Sequence, residues 1–283
     1  MFKKNIECPK CGKYYDAYET MCPNCQNETD SKEAKKTPKN ILMLSLFSQM
    51  GFFLLGWLGL SLVSTFVILI YANVVCKNYG LTSNEFIGDL NSYPDVVLNC
   101  NVITYLIIFA GMILILIPSF KSFFKSLKNY KTYIVGFLMG IVLIIANLLV
   151  SYLITMLSES SGNNNQSMLE QFIGLNPVLC LIIFGFVGPI VEEFTYRLGL
   201  FSLLNRTGKI WVAYVVTILV FALIHFDFSS SNIVNELINL PPYLVAGAIL
   251  CLAYHYGGFT ASTIAHVMNN VLSISMIIIS QLG

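Results

Sequence analysis

From Ile41 onward the chain is a succession of long apolar runs separated by short polar breaks, whereas the forty residues before it hold few apolar side chains. The runs lie near 50–75, 102–118, 133–157, 176–200, 210–226, 239–256 and 260–281. Each is close to the length that crosses a hydrocarbon core of ~30 Å at a helical rise of ~1.5 Å per residue. The pattern predicts an all-α polytopic membrane domain over residues 41–283. It contains seven transmembrane helices, or eight if 41–50 crosses separately from the first run. Residues 1–27 form a polar, cysteine-paired module. Residues 28–40 have too little apolar surface to pack and read as a flexible linker.

Composition agrees. The chain is 56% hydrophobic and 11% charged, against ~25% charged residues in soluble domains. A net charge of +1 gives no bulk electrostatic support for a nucleic-acid partner. The distribution of charge says more than its sum. With the N-terminus inside, the inner loops hold Lys121, Lys125, Lys128, Lys131, Arg206 and Lys209. The outer loops near 77–101, 158–175 and 227–238 contain Lys77 alone, with Glu85, Asp89, Asp95, Glu159, Glu170, Asp227 and Glu236. The positive-inside rule therefore expects a multi-pass cell-membrane protein with a cytoplasmic N-terminus, and an outer C-terminus for an odd helix count. The first forty residues lack an apolar core of their own, so no secretory signal peptide is expected.

Cys8-Pro-Lys-Cys11-Gly and Cys22-Pro-Asn-Cys25 are two CxxC knuckles ten residues apart. Four thiolates on two tight turns suit the closed tetrahedral cage of a structural zinc. A cytoplasmic location disfavours disulfides as the alternative. The pattern resembles the zinc ribbons often found at bacterial protein N-termini, a structural or protein-docking module, and points to a bacterial protein. Cys76, Cys100, Cys180 and Cys251 stand singly in or near apolar segments and read as small core residues.

Ionisable groups inside spanning segments are costly and mark function by default. Val191-Glu192-Glu193-Phe194-Thr195-Tyr196-Arg197 puts two carboxylates and a guanidinium in the fourth run, Phe221 to His225 ends the fifth, and His266 to Asn270 lies in the seventh. Glu193 and Arg197 are four apart and can form an ion pair, leaving Glu192, turned ~100° away, to face a cavity. His266 and Asn270 present a ring and an amide on one face. Together these groups can surround, activate and aim one water. Glu192, His225 and His266 are also the ligand types of a catalytic metal, although no HExxH occurs. Counting ~1.5 Å per residue from the expected inner ends puts Glu192 ~13 Å and His266 ~12 Å deep but His225 ~24 Å. These depths do not agree.

EExxxR, FxxxH and HxxxN in this order resemble the CPBP (Abi) family of intramembrane endopeptidases, which includes the CAAX prenyl proteases, over residues 176–281. The resemblance implies Glu192 as general base with His225 helping to activate the water, and His266 with Asn270 stabilising the oxyanion. Glu193 and Arg197 are supporting residues. The reading that follows is hydrolysis of a peptide or lipid-modified protein substrate at the membrane lipid, entered from the cytoplasmic side; the resemblance does not carry over the identity of that substrate. Metal-free, glutamate-activated hydrolysis is favoured over a metallopeptidase. The alternative is a non-catalytic peptide-binding membrane protein of bacteriocin-immunity or sensor type, since the family includes members associated with bacteriocin processing and immunity.

Overall fold

The computed structural model describes residues 5–7, 14–16, 25, 42, 44–76, 80, 82–158 and 162–282. The chain divides into two units, Met1–Lys39 and Asn40–Gly283. In the first, β1 (Asn5–Glu7) pairs antiparallel with β2 (Tyr14–Asp16), Ile6 opposite Tyr15. Cys8, Cys11 and Cys22 and the linker 28–40 lie outside the described residues; Cys25 is described.

Every regular element described in the second unit is a helix, which makes the protein a polytopic all-α membrane protein. Its helices are α1 (Leu46–Val75), α2 (Ser83–Gly88), α3 (Pro94–Leu116), α4 (Phe120–Leu127), α5 (Tyr130–Leu157), α6 (Asn164–Leu175), α7 (Pro177–Asn205), α8 (Ile210–Leu223), α9 (Ile233–Ile238) and α10 (Pro241–Leu282). All seven expected segments fall on helix. Among the described residues, five stretches are both long and apolar enough to cross a bilayer: Leu46–Val75, Pro94–Leu127, Tyr130–Leu157, Pro177–Asn205 and Ile233–Leu282. Two features account for the difference from seven. Helix α8 has 14 residues, ~21 Å of rise, and the sixth and seventh segments run on as α10. That helix breaks at Gly258, with φ 74° and ψ −170°, a conformation that only glycine adopts without steric cost.

Small residues set the closest packing. Gly136 and Gly140, one turn apart on α5, face α10 beyond the break. A Cβ at Gly136 would stand 2.9 Å from the Ala261 carbonyl oxygen, and one at Gly140 2.8 Å from Met268 Sδ. In lipid, where helix association depends on close packing, such pairs let backbones approach. Gly136→Leu should therefore overpack this seam and destabilise the protein by about 1–3 kcal/mol, read as a lowered thermal midpoint in detergent. An unchanged midpoint would mean that the seam is loose.

Aromatic side chains fill the space between α4, α7 and the α10 break. The Phe194 ring lies 4.9 Å from Phe259 and 6.3 Å from Phe123, which lies 5.5 Å from Phe259. At the Asn205 end of α7, Arg206 Nε donates to Gln49 Oε1 and its Nη2 to the Leu44 carbonyl, both at 2.6 Å, tying α7 to the start of α1.

Candidate active site

The motif helix α7 is not uniform. Its α-helical turn Gly188–Glu193 lies between two wider π-type stretches, Leu181–Val187 and Phe194–Phe201. Pro189 has no N–H to return to the preceding turn, and the first widening absorbs that loss. Glu192 and Glu193 therefore close a short regular turn and point to different surroundings.

Glu193 and Arg197 are fully buried, with Glu193 Oε2 3.3 Å from Arg197 Nε. The guanidinium lies over the Phe221 ring, 5.0 Å from its centroid, so a π-face and a carboxylate share the cation. The expected ion pair is present. Glu193 also does something that spacing did not suggest: its Oε1 lies 3.0 Å from His266 Nδ1. A carboxylate can only accept, so Nδ1 carries the hydrogen and donates it. That leaves His266 Nε2 facing Glu192, 3.6 Å from Oε2. Glu192, 14% exposed, stands in the cavity wall.

On α10, three asparagine amides form a chain. Asn147 Nδ2, from α5, donates to Asn269 Oδ1 at 3.0 Å; Asn269 Nδ2 donates to Asn270 Oδ1 at 3.2 Å; Asn270 Nδ2 donates to the Phe184 carbonyl of α7 at 3.2 Å. An amide nitrogen has two hydrogens, so Asn270 keeps one N–H for the cavity. His225 follows the end of α8. Its Nδ1 lies 3.0 Å from the Phe221 carbonyl, and its ring stacks on Tyr243 at 4.4 Å. Phe221 is 5.3 Å from His225 and 5.7 Å from His266, so one aromatic ring neighbours both imidazoles.

Glu192, His225, His266 and Asn270 line one cavity of about 930 Å³, together with Tyr105, Asn147, Tyr196, Phe184 and Asn269. Glu193 and Arg197 sit behind its wall. The imidazole that touches Glu192 is His266, whereas His225 was expected to share that place. Among the described residues no three His, Cys, Asp or Glu side chains gather as a metal-holding group. Asn147 and Tyr243 were not singled out in the sequence. Asn147 carries the signal that could have marked it, a lone amide in an apolar helix.

The depth disagreement largely resolves. Helix α7 continues to Asn205 rather than ending near 200, which places Glu192 ~20 Å from that end, close to the ~24 Å counted for His225. For His266, the break that begins its count is itself inside the helical layer, because Phe259 packs on Phe194, ~17 Å from the Asn205 end of α7.

Fold and site together define a multi-pass helical membrane protein with a carboxylate, two imidazoles and an amide gathered on one internal cavity. A protein-family model, the type II CAAX prenyl endopeptidase Rce1-like family, matches residues 174–272, a stretch that contains all three motifs. Residues outside that stretch are not part of the match. No curated protein and no solved structure matches the chain.

Proposed function

We propose that the protein is an intramembrane endopeptidase that hydrolyses a peptide bond of a membrane-associated or lipid-modified substrate. The observation that carries this reading is the pair of contacts made by His266, Nδ1 to Glu193 and Nε2 toward Glu192, within a segment similar to a peptidase family.

In this mechanism Glu192 takes a proton from a water held between it and His225. The water oxygen attacks the scissile carbonyl carbon, and the C=O π electrons move onto its oxygen. Asn270 Nδ2 and the protonated Nε2 of His266 donate to that oxyanion. The oxyanion collapses, the C–N bond breaks, and Glu192 returns its proton to the leaving amine. Asn269 and Asn147 act through Asn270 by fixing the plane of its amide. The reading is metal-free and glutamate-based, so cleavage persists after dialysis against a chelator.

The test is a fluorescence-quenched, farnesylated peptide ending in a CAAX sequence, incubated with the purified protein in detergent. A single new C-terminus, lost in Glu192→Ala, is expected; no cleavage by the wild type would overturn the reading. Comparative membrane proteomics of wild-type and Glu192→Ala cells would then show the natural substrate as an accumulated precursor.

The N-terminal unit is assigned to a structural zinc held by Cys8, Cys11, Cys22 and Cys25. Strands β1 and β2 come before and after the Cys8 and Cys11 pair in the chain, which supports a ribbon. A peptide of residues 1–30 should bind one zinc under reducing conditions, and Cys8→Ser should abolish tight binding. A stoichiometry of two, or none, would overturn the assignment.

A further inference from the structure

The cavity is lopsided along the membrane axis. On α8, which runs from Lys209 toward His225, its lining residues are Val220, Phe221 and the residues beyond. On α5, which starts beside Lys131, they are Leu143 at its middle and Asn147 and Ser151 in the half away from the lysines. On α10 they run outward from His266 to Asn270 and Ile274. The cavity reaches Asn165, Gln166 and Phe228, all exposed, in the two segments that follow α5 and α8.

Those two segments are joined into a collar. Buried Glu236 accepts from the Asn164 backbone N–H at 3.0 Å and from that of Asp227 at 3.2 Å. Asn164 Nδ2 donates to Asp227 Oδ2 at 2.7 Å, and Asn163 Nδ2 to the His225 carbonyl at 3.3 Å. The rim is thus built of amides, carboxylates and aromatic rings. The basic residues of α4, its flanks and the α7–α8 turn lie at the opposite helix ends.

Basic loops stay in the cytoplasm. From this asymmetry we propose that the cavity opens on the extracytoplasmic face and receives there an extended peptide segment held at the outer interface of the membrane. The peptide part rests on the endopeptidase reading; the side of the opening does not. Entry from the cytoplasmic side, the expectation from the sequence, is not matched by this placement of the lining residues.

The experiment uses the full-length protein in intact cells, with Asn165→Cys and Phe228→Cys at the rim and Thr207→Cys at the basic end. A bulky membrane-impermeant maleimide is added, and labelled positions are read by mass spectrometry. The rim thiols should react in intact cells, and the Thr207→Cys thiol only after permeabilisation. The reverse pattern would overturn the proposal. The modified proteins are then purified and given the farnesylated peptide. The rim adducts should slow cleavage at least tenfold, whereas the Thr207→Cys adduct, made in permeabilised cells, should leave it unchanged. Labelling as expected with undiminished cleavage would overturn the peptide route while the endopeptidase reading stands. An unmodified wild type that cuts nothing defeats the endopeptidase reading and the peptide route, and the side of the opening is then decided by labelling alone.

Discussion

Glu192→Gln should lower the cleavage rate of the farnesylated peptide by about 10²–10⁴-fold, the range for removing a general base, while leaving the thermal midpoint nearly unchanged. The two halves of this expectation have one cause. Glu192 lies in the cavity wall, with His266 Nε2 3.6 Å from its Oε2. Removing the charge strands no buried cation, because Arg197 is paired with Glu193 instead. What is lost is the group that takes the proton from water. Asn270→Ala should cost about 10²–10³-fold, as loss of one oxyanion donor does. The Glu192→Gln/Asn270→Ala double variant should fall well short of the product, since the groups serve one step. Full activity in Glu192→Gln would move the base elsewhere.

The charged motif was legible because the cost of burying charge makes such residues stand out in apolar helices. Glu192, Glu193, Arg197, His225, His266 and Asn270 could be picked from the sequence on that ground, and the Glu193–Arg197 pairing follows from helical spacing. The contact between Glu193 and His266 could not be read the same way. It depends on how α7 and α10 rotate against each other, which spacing within one helix does not constrain. The end of α7 at Asn205 was hidden too, because Ser202 and Asn205 resemble the start of a polar loop, while the Arg206 ties to Gln49 and Leu44 are long-range. The short helices α2, α4, α6 and α9 lie in stretches read as loops, although α4 carries Phe120, Phe123, Phe124 and Leu127 at helical spacing. Local chemistry does mark one of them: Thr82 and Glu85 form a capping box at the start of α2, and the Glu85 carboxyl is held below its ordinary value by the Thr82 backbone and side chain.

Glu193 and Arg197 separate stability from catalysis. Glu193→Gln should destabilise the protein by about 3–5 kcal/mol, because it leaves the fully buried Arg197 cation without its counter-charge. Arg197→Met should do comparable damage by stranding the carboxylate. The double variant Glu193→Leu/Arg197→Met puts apolar side chains of similar reach in both places, and replacing a whole buried pair in this way is often neutral or stabilising. Its thermal midpoint should therefore return close to wild type. Its activity should not. Glu193 is also the acceptor for His266 Nδ1, the contact that fixes which ring nitrogen faces Glu192. Without it the imidazole can turn or change tautomer, and kcat should stay depressed by at least tenfold with KM little altered. Restoring only the acceptor, as Glu193→Asp in the presence of Arg197, should recover part of kcat if the shorter arm still reaches Nδ1. A double variant that regains both midpoint and kcat would reduce Glu193 to a counter-ion for Arg197 and remove it from the positioning of His266.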